Sequence, residues 1–379
     1  MRVIQTIAST RIEYGGTSRS VPQLCDALLR HGVDTHLVTT KPYDSSIPCN
    51  FPQDATRFHT TPEHTIIRPW GVSKDFEKIL LQLAVPRNQT VIHDHAVWLP
   101  TNHAVATFAR RHAIPRVVSP RGMLGDWALA NGKWKKRIAW WLYQHRDLLT
   151  ATAFHATSEM EAKEIRRLGF QQPIVVAANG LEIPQNLPQT RGPASKQFLF
   201  LSRIHRKKGL IELLEAWHKS VAPTAGWKLK IAGPDDGGFH IAVERRIDEL
   251  QLAHSVSLLG EVTGRPKWEL MTESAYFILP SFNENFGIAI AEALACGVPV
   301  ITTKNTPWQS IETEHAGWWI DHQHDNLVEA INEAVDLPID IWSRCSTAAA
   351  SIGRSFRWSD VSKILEKFYS QLQTSHKNT

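Results

Sequence analysis

Short β-branched and apolar runs recur along this chain, with longer segments of helical apolar spacing between them, and this alternation restricts the fold most. The runs predict strands at 2–7, 35–39, 90–93, 116–119, 153–156, 174–177, 198–201, 228–232, 255–259, 276–279, 299–302 and 317–320. Segments such as 21–31, 211–219 and 288–295 predict helices. Strands and helices in turn build parallel sheets, because a parallel neighbour needs a crossover that returns the chain over one face. The expected class is α/β, with parallel sheets covered on both faces.

Residues 184–195, PQNLPQTRGPAS, hold three prolines, one glycine and a single large apolar residue, the make-up of a linker. They divide the 379 residues into a first domain at 1–183 and a second at 196–355, with 356–379 left over. That last stretch predicts a helix, with Ser359 as N-cap and Val361, Ile364, Leu365, Phe368 and Leu372 at helical spacing. A frayed polar tail is expected at 374–379.

Apolar residues at 42% and charged ones at 21% exclude wholesale disorder and collagen-like repeats. Lys and Arg number 42 against 37 Asp and Glu, and an excess of five is too small for a dedicated nucleic-acid binder unless clustered. Cys25, Cys49, Cys296 and Cys345 are too scattered for a disulfide framework or a zinc site and read as reduced thiols. The apolar stretch 3–8 is too short for a signal peptide, and no uncharged run approaches the ~20 residues that span a bilayer. A soluble, cytoplasmic protein is expected.

The chemistry concentrates in 280–293, PSFNENFGIAIAEA. A strand ends, a polar loop follows, and an apolar helix starts near Phe286. Gly287 would let the backbone approach a ligand, and free N–H groups at a helix start suit a phosphate or a sugar hydroxyl. Glu284 on the loop and Glu292 in the helix can face one crevice at the carboxyl ends of the strands, there accepting from sugar and ribose hydroxyls. On spacing alone they could equally be solvated surface residues.

Glu284-x7-Glu292, followed by Ala295-Cys296-Gly297-Val298-Pro299-Val300, resembles the signature of glycosyltransferase family 4, retaining enzymes of GT-B fold. The resemblance extends over nearly the whole chain. Gly15-Gly16 resembles the family's N-terminal glycine loop, Asn179-Gly180 the pair that closes its first domain, and Arg203-x4-Lys208-Gly209 the element that opens its second. It implies two Rossmann-like doubly wound domains facing a central cleft, the first for the acceptor and the second for a nucleotide sugar. It also implies a C-terminal helix returning toward the first domain. Arg203 and Lys208 would hold the donor diphosphate and stabilise the leaving charge, a role a metal plays elsewhere. Glu284, with backbone groups of Asn285, Phe286, Gly287 and Ile288, would clamp the donor sugar, and Glu292 the ribose. No metal and no cofactor is implied, the nucleotide sugar being a substrate. Gly15 and Gly16 would near the phosphates or the acceptor, or form an ordinary turn.

One departure stands out. Many relatives place a His after the strand that ends near Ser119, where this chain has Arg121. A permanently charged, fork-shaped donor could grip an acidic sugar, a phosphate or an acceptor pyrophosphate, or pair with a nearby carboxylate. His93-Asp94-His95 superficially resembles a metal cluster, but on a strand Asp94 points away from both histidines. His95, at a strand end near Trp98, reads as a substrate-pocket residue or as packing. Pro234-Asp235-Asp236-Gly237-Gly238 reads as a loop after a strand.

Trp134, Trp140 and Trp141 fall within eight residues, in 133–146, KWKKRIAWWLYQHR, which holds five basic residues and no acid. As a helix it gives a stripe of Trp134, Ile138, Trp141 and Leu142 with a basic surface beside it. That suits an interfacial helix on an anionic membrane, or a helix packed on the sheet with solvated lysines. The expectation is a cytoplasmic, peripheral retaining hexosyltransferase with a UDP- or GDP-sugar donor, a lipid-linked glycan acceptor in polysaccharide or lipopolysaccharide synthesis, and no nucleic acid partner. A GT-B sugar-nucleotide epimerase and a non-catalytic sugar-nucleotide-binding module are the alternatives. A dinucleotide oxidoreductase is disfavoured, because Gly15-Gly16-Thr17 lacks the Gly-x-Gly-x-x-Gly spacing.

Overall fold

In a computed structural model, residues 1–41, 48–62, 75–130, 132–187, 190 and 192–377 are described, the last three by backbone only. The chain forms two units, Met1–Gly180 with Arg357–Thr379, and Leu181–Phe356. The first contains β1 (Arg2–Ser9), α1 (Gly16–Arg30), β2 (Asp34–Lys41), β3 (Phe58–Pro62), α2 (Phe76–Leu83), β4 (Thr90–His95), α3 (Pro100–Arg111) and β5 (Arg116–Ser119). It continues with α4 (Asp126–Ala130), α5 (Lys133–Ala139), α6 (His145–Leu149), β6 (Ala153–Ala156), α7 (Glu159–Arg167) and β7 (Ile174–Val176). The second contains β8 (Gln197–Leu201), α8 (Leu210–Lys219), β9 (Lys228–Ala232), α9 (His240–Glu249), β10 (Val256–Gly260), α10 (Gly264–Thr272) and β11 (Tyr276–Leu279). It ends with α11 (Ile288–Ala295), β12 (Val300–Thr303), α12 (Ser310–Thr313), β13 (Gly317–Ile320), α13 (His324–Asp336) and α14 (Ile339–Arg354); α15 (Trp358–Lys377) belongs to the first unit.

The sheets run β3-β2-β1-β4-β5-β6-β7 and β10-β9-β8-β11-β12-β13, and their strand pairs are parallel. Adjacent strand residues feed opposite cores, as the two-residue period of a strand requires. Val3, Val91 and Val117 pack with Leu24 and Leu28 of α1 and with Trp358, Leu365 and Tyr369 of α15. Ile4 and Ile92 pack on the other face with Leu80 of α2 and Val105 and Phe108 of α3. In the second unit Phe198 of β8 meets Trp217, Trp227 and Tyr276 at ring distances of 5.3, 5.3 and 5.0 Å. Strand order reverses direction between β1 and β4, and again between β8 and β11. A ligand crevice forms outside the carboxyl ends of such neighbours, where the crossovers diverge to opposite faces.

Several elements differ from expectation. β3 is an edge strand beside β2 that ends at Pro62, and its polar FHTTP sequence carries little strand signal. α1 starts at Gly16, five residues before the predicted helix, with Pro22 inside it. α15 already begins at Trp358, so Ser359 lies within the helix, which runs to Lys377 instead of fraying from 374. Residues 378 and 379 of that tail lie outside the described residues. Within the expected linker, 188, 189 and 191 lie outside the described residues and Gly192–Ser195 forms a 3-10 turn. The segment 133–146 is not one regular helix: a π-turn at Trp140–Gln144 joins α5 to α6.

Candidate active site

Beyond β8, His205 starts a 3-10 turn, Arg206–Lys208, with its Nδ1 accepting from the Lys207 N–H at 3.0 Å. Gly209 follows at φ 71°, and a Cβ there would lie 2.2 Å from the Pro280 carbonyl oxygen. No other residue lets the turn press so closely on the end of β11. The Phe282 N–H completes the contact by donating to the Lys207 carbonyl at 2.9 Å. Lys208 is thereby delivered to the loop after β11, where its Nζ donates to Glu284 Oε1. Ser281 Oγ donates to the same oxygen at 3.1 Å.

Both side chains of the pair are about 11% exposed. Burial works to raise the Glu284 carboxyl pKa. The ammoniums of Lys208 and Lys207 and the two hydrogen bonds outweigh it, holding the group below the usual carboxylate range. Arg203, more exposed, donates from NH1 to Asp236 Oδ2 at 2.5 Å. The 234–238 segment is the loop the sequence suggests, but its pairing with Arg203 is not visible there. Its other acid, Asp235, accepts from the N–H groups of Gly238 and His240 at 2.7 and 2.9 Å and so shapes the entry to α9.

Gly287 sits at φ 79° as the residue before α11, where a Cβ would crowd Ile290 and the Trp308 indole at 3.1 and 3.3 Å. The Phe286 side chain is core, packed against Trp308 and Phe356, and its carbonyl accepts from Trp308 Nε1 at 2.5 Å. What Phe286 can offer a ligand is therefore backbone. Asn285 and Ile288 flank it, both half-buried. Glu292, in the second turn of α11, is buried and accepts from Lys267 Nζ of α10 at 2.5 Å.

The other expected residues lie in the first unit. Gly15, at φ 72°, separates a 3-10 turn from α1, its carbonyl accepting from Ser18 Oγ at 2.8 Å, and Gly16 is the first helical residue. His95, at the end of β4, is sealed from solvent, which does not fit a pocket wall. Its Nδ1 accepts from Arg121 Nε and NH2 at 3.3 and 3.1 Å, so Nε2 bears the proton donated to Gln5 Oε1 at 2.6 Å. His95 can reach a ligand only through Arg121. Arg121 itself is buried, at φ 57°, and donates from NH1 to Asn179 Oδ1 at 2.8 Å. Its hydrogen-bond partners are thus neutral, and Glu161 acts on it only through space. Burial lowers its pKa to about 10, against the pull of Glu161 and Tyr369.

His93 and Asp94 take structural roles. The His155 Nε2–H donates to the Ala177 carbonyl at 2.8 Å, so its Nδ1 accepts from His93 Nε2 at 3.2 Å. His93 Nδ1 then accepts from the Tyr369 hydroxyl at 2.7 Å. Asp94 accepts from Thr6, Asn102 and Arg116 at 2.9, 2.9 and 3.2 Å. Among the described residues no group of three His, Cys, Asp or Glu could hold a metal ion.

Residues 187–351 match the family described as "Glycosyl transferases group 1", and residues 15–180 match the "Glycosyl transferase 4-like domain". The chain belongs to the group 1 glycosyl transferases. It is 22% identical over 363 residues to the phosphatidylinositol N-acetylglucosaminyltransferase gpi3 subunit of Schizosaccharomyces pombe, covering 94% of this chain and 78% of that protein. It is 24% identical over 297 residues to the GDP-mannose:cellobiosyl-diphosphopolyprenol alpha-mannosyltransferase of Xanthomonas campestris, covering 77% of each. In fold it is similar to a sucrose-phosphate synthase from Thermosynechococcus elongatus, with TM-score 0.80 at 17% identity, covering 99% of this chain and 100% of that one. Anabaena HepE, in complex with UDP and glucose, gives TM-score 0.71 at 18% identity over 98% of this chain and 100% of that one. The architecture is GT-B, and by family the chain is a glycosyl transferase.

Proposed function

We propose that this glycosyltransferase moves a hexose from a UDP- or GDP-sugar to a hydroxyl of a lipid-linked glycan, retaining the anomeric configuration, in polysaccharide or lipopolysaccharide assembly. The observation that carries the reading is the β8 turn, which aims Lys208 at Glu284 at the β8/β11 reversal, with Arg203 earlier in the same segment paired to Asp236. The donor diphosphate would take both cations, which stabilise the charge it gains on leaving. Glu284 and the backbone of Asn285, Phe286, Gly287 and Ile288 would hold the sugar hydroxyls, and Glu292 the ribose. The bond from C1 to the diphosphate oxygen breaks as the acceptor oxygen bonds to C1 on the same face. The acceptor proton passes to the departing phosphate, so neither a protein nucleophile nor a metal is required. Arg121, charged and among the described residues hydrogen-bonded to the neutral His95 and Asn179, would meet an acidic sugar or the acceptor diphosphate.

A lipid-linked acceptor is supported by two of the relatives, one a phosphatidylinositol and the other a diphosphopolyprenol enzyme. The basic segment gives independent support. Trp134, Ile138, Trp141 and Leu142 are 66, 52, 82 and 75% exposed, a large apolar stripe facing solvent. Trp140 instead turns inward, its ring 6.0 Å from that of Trp98. Lys133, Lys135, Arg137 and Arg146 are exposed around the stripe, as peripheral binding to an anionic membrane needs. Among the described residues no helix is long and apolar enough to cross a membrane.

The test is a panel of UDP- and GDP-sugars with a lipid-linked glycan acceptor, scored by released diphosphate and by the anomeric configuration of the product. Activity should survive EDTA. Arg203→Ala and Lys208→Ala should each lower kcat by ~10²-fold or more, as removal of one charge-stabilising group does. Near-normal turnover in both folded variants, or an inverted product, would overturn the reading.

A further inference from the structure

Glu292 does not stand alone on α11. Lys267, on α10 and 25 residues earlier, is almost fully buried and donates from Nζ to Glu292 Oε1 at 2.5 Å. The same ammonium lies 4.5 Å from the centroid of the Trp268 ring, whose π-face favours a cation. Oε1 is thus engaged on one side, while no described residue donates to Oε2. An ionised carboxylate has about four acceptor positions, so roughly three remain after Lys267 has taken one. A vicinal diol needs two, one on each oxygen. A buried carboxylate presents them only if its plane is fixed, and the hydrogen bond from an adjacent buried ammonium fixes it.

We infer that Lys267 is the positioning residue of the nucleotide ribose subsite, orienting Glu292 so that the enzyme selects ribonucleotide over deoxyribonucleotide donors. The inference rests on the donor reading above, in which Glu292 meets the ribose. Lys267 touches no substrate in this account. Its effect on ligands passes through the carboxylate, and it should shift ribose discrimination rather than diphosphate affinity.

The experiment measures binding of UDP, GDP and their 2′,3′-dideoxy analogues to the whole chain by calorimetry, so no acceptor or turnover is needed. Hydrogen bonds to a charged group should make wild type prefer the ribonucleotide by roughly ten- to a hundred-fold. Lys267→Met should bring that ratio below about three-fold, with dideoxynucleotide affinity changed little. Lys267→Gln, which keeps length and polarity but not charge, should act likewise and serves if the Met variant does not fold. Lys267→Arg, which keeps the charge, should restore most of the ratio. Glu292→Gln separates the two levels of the argument. If it collapses the ratio while Lys267→Met and Lys267→Gln keep it, the Lys267 inference is wrong and the donor reading stands. If wild type shows no preference, or Glu292→Gln keeps it, Glu292 is not the ribose ligand and both fall.

Discussion

Lys208→Met is the perturbation whose cost the structure specifies best. The ammonium faces Glu284 in a place where both side chains are about 11% exposed, so water screens little of their interaction. Deleting it leaves a buried carboxylate with Ser281 Oγ and the more distant Lys207 as compensation. Breaking one side of such a pair costs about 3–5 kcal/mol. Glu284→Gln should cost less, about 1–3 kcal/mol, because the amide oxygen still accepts while the ammonium loses its counter-charge. In Lys208→Met/Glu284→Gln no orphaned charge remains, and the double variant should be more stable than Lys208→Met alone. The cycle should therefore yield a coupling of about 2 kcal/mol or more, as contacting charged residues do. For a unit of this size each kcal/mol moves Tm by roughly 2–4 °C, so the Met variant should melt about 10 °C lower. Urea unfolding followed by circular dichroism gives all four stabilities. A Lys208→Met variant within about 0.5 kcal/mol of wild type, or strictly additive single variants, would show the pair to be screened like a surface contact and refute the reasoning.

Two further outcomes follow from the first unit. Burial lowers the pKa of His93 and His95 well below 6.5, of His155 to about 3 and of His36 to about 4. The unfolded chain therefore binds more protons below pH 6.5, and stability is full above that pH and falls beneath it, by about 1.4 kcal/mol per pH unit per histidine. Asp94, lifted by burial to about 7, and Glu161, lifted likewise, act in the opposite sense and offset at most two of the four. Urea midpoints at pH 7.5, 6.5 and 5.5 should show a net loss of about 2–3 kcal/mol over the last step, and flat or rising stability would contradict the neutral histidine chain. Reversing Lys133, Lys135 and Arg137 to Glu should abolish co-sedimentation with anionic vesicles at low salt, since each basic residue contributes about 1 kcal/mol near such a surface. Wild-type protein that stays in solution at low salt would show that 133–146 is not a membrane face.

The features legible in the sequence are those that local chemistry writes into consecutive residues. Alternating runs placed twelve of the thirteen strands, and only β3 escaped, an edge strand too polar to signal itself. Helical spacing groups 134, 138, 141 and 142 into one stripe but leaves open whether it meets solvent or the sheet, and in the structure it is exposed. The inward turn of Trp140 was not predictable, because the π-turn shifts the faces after Ala139. Lys208-Gly209 could be read as a functional pair, but only Gly209 against the Pro280 carbonyl shows why the glycine must be there. The partners of the site residues carried no signal. Asp236 meets Arg203 from 33 residues away, Lys267 meets Glu292 from 25, and Tyr369 meets His93 from 276. Such pairs come from crossovers that return separate strands to neighbouring positions, and no periodicity records them.

This difference changes the chemistry, because sequence displays charges while structure displays what they are already paired with. Arg203 and Lys208 read as free cations in the sequence, yet they, like Lys267, are ion-paired in the structure, with Asp236, Glu284 and Glu292 respectively. In the proposed reaction the donor would therefore enter by exchange of partners. Its diphosphate must take Lys208 from Glu284, a buried pair, and Arg203 from Asp236, an exposed one worth about 1 kcal/mol or less. The first exchange costs more but releases Glu284 to accept from the sugar hydroxyls, so loss of the ion pair and capture of the sugar become one event. The third pair would not exchange at all, since a ribose brings hydroxyl donors rather than an anion. Lys267 would keep its carboxylate throughout, which is why its loss should be read in ribose selectivity and that of Lys208 in turnover.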